Sequence, residues 1–342
     1  MLGMAFIAVV FGEYSVDLFH TNFQGDRIVF SVSILILLTI LNWIGVRSGS
    51  STQKLTSLLK AIALLGFVIA CFVYGGQGGP DDAVQTPRSL QTAGTFAPLI
   101  AFVLAFQLVL GTYDGWHSAI YFTEEDTDPA RNLPRSLFGG IATIIGIYLL
   151  VNIALLYVLP MSQLAGSKFA GADAISLMFG SLSGQIVTIL ALLSLMGIIN
   201  AMLMMCPRIM LALGREGLFF AKAAKVNVGG TPTFGLAATA LSAMILSSIG
   251  TFEMLLAVSQ FFAVTITILL VLSLFVLRRT EPEAPRPYRA WGYPYLPVVV
   301  LLVAIFLFFG YMLSNPYPSL YALILLAISY PVFRFIPGSK LP

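Results

Sequence analysis

The stretch TFAPLIAFVLAFQLVLGTYDGW, residues 95–116, decides the fold class of this chain. Residues 95–110 carry no charge, and about 20 apolar residues suffice for a helix to cross a bilayer. Two glycines, Gly111 and Gly115, then bracket Asp114. The run therefore predicts a membrane-spanning helix that is interrupted near its middle, with a carboxylate at the interruption.

The rest of the chain has the same character. Of its 342 residues, 58% are hydrophobic and 10% charged, and the mean hydropathy is +0.93, whereas soluble domains carry about 25% charged residues. We count ten apolar segments: 1–19, 28–46, 55–75, 95–122, 136–159, 181–206, 231–250, 254–277, 295–313 and 317–336. This pattern predicts an all-α polytopic membrane protein of about ten transmembrane helices, in a single domain over 1–342.

The positive charges predict how the chain is oriented. The loops between the ten segments alternate between two sides, and 15 of the 18 Lys and Arg residues fall on one side. The other side holds only Arg27, Arg88 and Lys168. Loops rich in Lys and Arg stay in the cytoplasm, so we expect a multi-pass protein of the cytoplasmic membrane with both termini cytoplasmic. No basic patch points to a nucleic-acid partner.

The reactive side chains do not form the pattern of an enzyme. Cys71 and Cys206 both lie in apolar segments, and His20 and His117 are far apart in the sequence. Two such cysteines make no metal or disulfide framework, and we find no nucleophile–base pair or phosphate-binding loop. We therefore expect no enzymatic activity, no cofactor and no metal site.

The interruption at Gly111–Gly115 has two interpretations. Unwound backbone at membrane depth is tolerated only where it lines a cavity or is buried in protein, and ionisable residues there are functional candidates. The stretch is therefore a candidate substrate site. Alternatively it is a flexible kink whose Asp114 is neutralised by a neighbouring helix.

The loop TEEDTDPARNLPRSL, residues 123–137, mixes both signs of charge. Its prolines, Pro129 and Pro134, predict the end of one helix and the start of the next. The loop is either a solvated cytoplasmic connection or a gate whose ion pairs change between transport states. In the second case the gate candidates are Glu124, Glu125, Arg131 and Arg135.

Two polar residues inside apolar segments, Lys60 and Asn200, each have two interpretations. Lys60 lies six residues after Lys54, about 9 Å deeper along a helix. It can snorkel to the interface, or point into the bundle and occupy a cation site. Asn200 can bond a neighbouring helix or line a transport pathway.

Five stretches together resemble the amino acid–polyamine–organocation (APC) superfamily of permeases, in particular its branch of L-type amino acid transporters. They are LNWIGVRSGSSTQKLTSLLK (41–60), YDGW (113–116), TEEDTDPARNLPRSL (123–137), PRIMLALGREGLFF (207–220) and RPYRAWGYPYLP (286–297). They occur in the family's order and at its spacing, over nearly the whole chain.

This resemblance implies a LeuT-like fold of 5+5 inverted repeats followed by two further helices. It implies that the sixth family helix is broken near 111–116 and that the break binds the amino acid. Lys60 matches a lysine that replaces the sodium ion of related transporters, and Asn200 falls on the eighth helix, which flanks the site. The substrate-binding residues it implies are Gly111, Tyr113, Asp114, Gly115 and Asn200.

The chain also departs from the family pattern. Its first segment resembles the third family helix, so we expect an N-terminally truncated fold with family helices 3 to 12 only. Gly111 stands where many members carry a bulky aromatic gate. The loop HTNFQGDR, residues 20–27, lacks the cysteine that links some members to a heavy chain, so no disulfide-linked heavy chain is expected.

The resulting functional prediction is a secondary active amino acid transporter that works by alternating access. Neutral amino acids are the expected substrates, carried by exchange or by proton symport. The carboxylate of Asp114 suggests a second alternative, in which the substrates are cationic amino acids or polyamines. A third alternative follows from the expected absence of the first two family helices: the chain is a truncated permease fragment without transport activity.

Overall fold

The computed structural model describes residues 1–20, 25–76, 97–113, 115–167, 169–286, 288–289 and 291–335. Over these ranges the protein is helical and contains no strand. Two 3-10 helices, Trp116–Glu125 and Ala221–Ala224, accompany twelve α-helices. The α-helices are α1 Leu2–Phe19, α2 Asp26–Ile44, α3 Val46–Tyr74, α4 Ala97–Tyr113, α5 Pro129–Val158, α6 Met161–Gly166, α7 Ala170–Phe179, α8 Ser181–Arg215, α9 Thr233–Ile249, α10 Phe252–Thr280, α11 Tyr295–Ser314 and α12 Pro316–Phe335.

Eight helical segments are long and apolar enough to cross a membrane. They correspond to α1, α2, α3, α4 with its following 3-10 helix, α5, α8, α10 and α11. The two remaining predicted segments coincide with α9, an apolar helix of 17 residues, and with α12. The prediction of an all-α polytopic protein is confirmed.

α1 lies at the centre of the bundle and packs against α2, α8, α9 and α10. Met4 and Ala8 are fully buried, in one cluster with Leu35 of α2 and Ile199 of α8. Small residues allow this close packing. A Cβ added to Gly12 would lie only 2.4 Å from the carbonyl oxygen of Arg27 on α2.

Two further clusters flank this core. Val103 of α4 packs with Phe261 of α10 and with Tyr311 of α11. On the other flank, Cys71 of α3 packs with Val158 of α5. α4 and α5 thus belong to different clusters, and the region between them contains the predicted site.

α5 begins earlier than the sequence predicted. It starts at Pro129 instead of residue 136, and Pro134 lies inside it. Proline is favoured at the first helical position, where its missing N–H would be unpaired in any case. Pro134 is in the second turn, so only the carbonyl of Ala130 loses its helical donor.

Candidate functional site

The α-helical part of the predicted interrupted helix ends at Tyr113. A 3-10 helix begins at Trp116, and its N-cap residue Gly115 has a φ of +96°. This left-handed conformation is strained for residues with a Cβ, which accounts for glycine at this position. Asp114 lies outside the described residues, so its role stays a prediction.

Tyr148 of α5 contacts the end of α4. Its hydroxyl donates a hydrogen bond to the carbonyl oxygen of Thr112, at 3.3 Å. Its ring meets the Tyr113 ring edge-on, with centroids 5.2 Å apart. The last carbonyls of a helix have no helical donor, so Tyr148 supplies one of them with a partner beside the predicted substrate site.

Gly111 lies one turn from Gln107, a buried residue of the same helix. A Cβ added to Gly111 would lie 3.3 Å from Nε2 of Gln260 on α10. Gln260 is itself buried. The backbone at Gly111 therefore faces a buried amide of a neighbouring helix.

Lys60 lines an apolar cavity of about 730 Å³ between α3, α5, α7 and α8. Within the described ranges, no group forms a hydrogen bond or an ion pair with its ammonium. Ser194 of α8 also lines the cavity, as do Val151 and Leu155 of α5. Ligand sites are mostly apolar and have volumes of roughly 300–1,000 Å³, so this cavity is a second candidate region.

α5 connects the two candidate regions. Tyr148 contacts the end of α4, and Val151 lines the cavity. Three residues span about 4.5 Å of a helix. The helix interruption and the Lys60 cavity thus share one wall.

Asn200 is fully buried and bonds two other helices. Its Oδ1 accepts a hydrogen bond from Nδ2 of Asn42 on α2, at 2.8 Å. Its Nδ2 donates to Oε1 of Gln53 on α3, at 3.3 Å. Asn200 thus bonds neighbouring helices, which is one of the two roles expected from the sequence. Its role in substrate binding stays a prediction.

An ion pair lies at the end of the bundle where most of the Lys and Arg residues collect, here called the basic end. Nη1 of Arg215, in the last turn of α8, lies 2.9 Å from Oε2 of Glu124. Both side chains are largely exposed, Glu124 to 81%. Nearby, the Arg208 guanidinium lies 4.4 Å from the ring centroid of Phe122.

Two of the other gate candidates, Arg131 and Arg135, differ from Glu124. Arg131 and Arg135 are exposed, and in the described part of the chain neither forms an ion pair. The side chain of Glu125 lies outside the described residues. The structure therefore pairs Glu124 with an arginine that lies outside the predicted loop.

Asp126 organises the turn before α5. Its Oδ1 accepts hydrogen bonds from Nδ2 of Asn132, at 2.8 Å, and from the backbone N–H of Asp128, at 3.1 Å. These bonds, that of Asn132 first, hold the pKa of the Asp126 carboxyl below its ordinary value because they favour the charged form.

In the described ranges, no group of three or more His, Cys, Asp or Glu residues is arranged to hold a metal ion. Cys71 is buried and Cys206 is half-buried, and both are free thiols.

Sequence reasoning missed three of these residues. Tyr148 is one aromatic residue among many in apolar helices, and nothing local distinguishes it. Arg215 lies in one of the stretches that carry the family resemblance, but its partner Glu124 is 91 residues away in the sequence. Asn42 had a usable signal, since it is a polar residue near the end of an apolar segment.

Comparisons with known proteins add evidence independent of this geometry. A family model described as amino acid permease matches residues 1–329. The chain is 27% identical to the b(0,+)-type amino acid transporter 1 of Mus musculus, over 97% of this chain and 67% of that protein. It is 26% identical to the serine/threonine exchanger SteT of Bacillus subtilis, over 88% of this chain and 67% of that protein. It is 29% identical to the large neutral amino acids transporter small subunit 2 of Mus musculus, over 96% of this chain and 62% of that protein. The chain thus spans about two thirds of the length of these relatives.

Proposed function

The chain belongs to the amino acid permease family, and we propose that it is a secondary active transporter that exchanges neutral amino acids across the cytoplasmic membrane by alternating access. Its helices are those of a multi-pass membrane protein. The proposal for neutral substrates is supported by two relatives whose names specify serine/threonine and large neutral amino acids.

The observation that carries the proposal is the change of helix type between Tyr113 and Trp116. A broken helix exposes backbone N–H and C=O groups, which can bind the charged ends of a zwitterionic amino acid. We propose that Gly111, Tyr113, Asp114 and Gly115 form this part of the substrate site. Tyr148 holds the end of α4 in place.

Lys60 supplies a fixed positive charge in our proposal. Its ammonium lines an apolar cavity and has no counter-ion among the described residues. A charge without a partner is costly in an apolar environment, so the lysine is expected to serve the transport cycle rather than stability. The cavity would admit the apolar side chain of a substrate.

The Glu124–Arg215 pair is the proposed gate at the basic end. Exposed ion pairs contribute only about 0–1 kcal/mol, so this pair can break and re-form during a transport cycle. We propose that the basic end faces the cytoplasm, which puts both termini on that side.

We also propose that no disulfide-linked heavy chain is needed. The loop on which this rests is residues 20–27, of which 21–24 lie outside the described residues.

The test is uptake of radiolabelled leucine into proteoliposomes that contain the purified chain. Exchange requires that liposomes preloaded with leucine take up label faster than empty ones. Lys54→Gln is the matched control for Lys60→Gln, because Lys54 is an exposed lysine on the same helix.

Three outcomes are informative. Uptake that follows an imposed pH gradient and ignores internal leucine would replace exchange by proton symport. Competition by lysine but not by serine would replace neutral substrates by cationic ones. A folded chain that takes up no amino acid, and that no amino acid stabilises against heat, would overturn the proposed function.

A further inference from the structure

Three side-chain amides form a chain of hydrogen bonds near the basic end of the bundle. Asn42 of α2 donates to Asn200 of α8, and Asn200 donates to Gln53 of α3. Asn200 lies 158 residues after Asn42 and 147 residues after Gln53, and the bonds connect three helices. We call Asn42, Asn200 and Gln53 the amide chain.

One half of the amide chain is firmly held. Asn42 and Asn200 are 4% and 0% exposed, and the bond between them is 2.8 Å long. The Asn42 amide also donates to the carbonyl of Leu38 on its own helix. Buried amides that are fully bonded are costly to separate, so α2 and α8 should remain together here.

The end of α2 is held from a second side as well. Nδ2 of Asn227 donates to the carbonyl of Trp43, at 2.8 Å, and Oγ1 of Thr231 donates to the carbonyl of Asn42, at 2.9 Å. Both carbonyls belong to the last turn of α2, where helical donors are missing. A Cβ added to Gly229 would lie 2.6 Å from the carbonyl oxygen of Ile44, so the loop before α9 presses closely on this helix end.

The other half of the amide chain is weaker. The Asn200–Gln53 bond is 3.3 Å long, and Gln53 is only half-buried. The second bond of Gln53, to Ser57 on the same helix, is 3.4 Å long and exposed. Asn200 is therefore anchored to α2 by a short buried bond, whereas its bond to Gln53 on α3 is long.

The Asn200–Gln53 bond lies on the side of the Lys60 cavity that faces the basic end of the bundle. Gln53 precedes Lys60 by seven residues, about 10.5 Å along a helix. Between them, α3 and α8 touch at Thr56 and Gly197, where an added Cβ would lie 2.9 Å from the Thr56 hydroxyl oxygen. Beyond Lys60 the two helices are separated by the cavity. The contact at Gln53 and Thr56 therefore separates the cavity from the basic end.

We infer that Gln53 and Asn200 form a latch that closes the basic end of the Lys60 cavity, and that this latch opens when α3 moves away from α8. The inference rests on the proposed transport function for the movement, but not for the closure. Gln53 acts here as a positioning residue: it touches Asn200 and controls access to the cavity. The Glu124–Arg215 pair involves other residues and a different helix contact.

Closure is tested by thiol labelling in the absence of amino acids. A cysteine at Ala63, which lines the cavity, is introduced together with Cys71→Ala and Cys206→Ala, and a membrane-impermeant maleimide is added at the basic end. Gln53→Met keeps the side-chain shape and removes the hydrogen bond, so labelling should become about tenfold faster, the effect of about 1.4 kcal/mol. Asn152→Leu is the matched control, because the Asn152 amide is exposed and donates to the Tyr148 carbonyl of its own helix.

A second variant distinguishes loss of the hydrogen bond from misfolding of the protein. The exchange of side chains, Gln53→Asn with Asn200→Gln, keeps both amides and moves one methylene between the helices. Labelling should return toward the wild-type rate in the double variant. Equal labelling rates in folded Gln53→Met and Asn152→Leu proteins would overturn the latch.

Opening is tested by cross-linking. In the double variant Gln53→Cys/Asn200→Cys, a short bifunctional thiol reagent should stop leucine exchange, and its reductive cleavage should restore it. Full exchange in the cross-linked protein would overturn the opening. A chain without any leucine uptake that still shows faster labelling in Gln53→Met would overturn the proposed function and leave the closure intact.

Discussion

The Tyr148 hydroxyl donates to the Thr112 carbonyl oxygen at 3.3 Å, and this bond joins α5 to the end of α4. Tyr148→Phe removes the bond and keeps the ring contact with Tyr113. We expect a loss of about 1 kcal/mol, the usual net value of one hydrogen bond. Thermal unfolding in lipid nanodiscs measures it. Tyr148→Ala loses the ring contact as well and should be less stable than Tyr148→Phe; equal stability of the two variants would contradict the role given to the ring.

Lys60 gives the second prediction. Lys60→Gln removes the charge from the cavity, and leucine exchange should fall to the level of liposomes without protein. Lys54→Gln should keep most of the activity, because Lys54 is exposed and does not line the cavity. Thermal unfolding of both variants controls for folding. Wild-type exchange by Lys60→Gln would remove the lysine from the mechanism.

The Glu124–Arg215 pair gives the third prediction. Glu124→Arg places a second positive charge beside Arg215, and Arg215→Glu places a second negative charge beside Glu124, where the wild-type pair is 2.9 Å apart. Each single reversal should change the exchange rate by up to about fivefold, the effect of about 1 kcal/mol. The double reversal restores attraction and should recover the rate. The effect should shrink at high salt because both side chains are exposed; single and double reversals with identical rates would exclude the pair as a gate.

Asp126 gives a prediction about pH. The pKa of its carboxyl is lowered in the folded turn, chiefly by the hydrogen bond from Asn132. A lowered carboxyl pKa stabilises the folded turn above the unfolded pKa, and this contribution is lost as the pH falls through the folded pKa. Asn132→Ala should raise the Asp126 pKa toward its ordinary value, which carbon NMR of labelled aspartate measures. The wild-type turn should lose its advantage over Asn132→Ala at acidic pH, and a pKa equal in both proteins would contradict this.

Gly12 gives a prediction about helix packing. A Cβ at this position would meet α2 at 2.4 Å, so Gly12→Ala should destabilise the protein by about 1–3 kcal/mol through overpacking. Gly146 of α5 is the matched control, because an added Cβ would meet nothing within 4 Å. Gly146→Ala should be neutral or stabilise by up to about 1 kcal/mol, since alanine is the better helix former. Equal effects of the two substitutions would show that α1 and α2 are not packed this closely.

The fold class could be predicted from the sequence because apolar length is a local property. Segments such as 28–46 and 254–277 lie within two or three residues of α2 and α10. The start of α5 was missed, since the two prolines predicted a helix boundary while the helix accommodates Pro134 in its second turn. Local propensity does not reveal which proline a helix will accommodate.

The contacts of the candidate site could be predicted only in part. Glycines marked the position where α4 gives way to a 3-10 helix, because backbone freedom is encoded by residue type. The partners of Asn200 could not be found in the same way. Asn42 lies 158 residues before it, and a single sequence contains no signal that joins two amides across that distance.

The central position of α1 has a consequence for biosynthesis. Ala5 and Val9 of α1 pack against Leu255 of α10, a residue that is translated 250 positions after Ala5. At about 5–20 residues per second, the ribosome needs roughly 12–50 s for that distance. During this time α1 must remain in the lipid or beside the insertion machinery with its contact surface for α10 uncovered. Mutations on that face, such as Ala5→Leu, should therefore reduce the yield of inserted protein before they change the behaviour of the finished molecule.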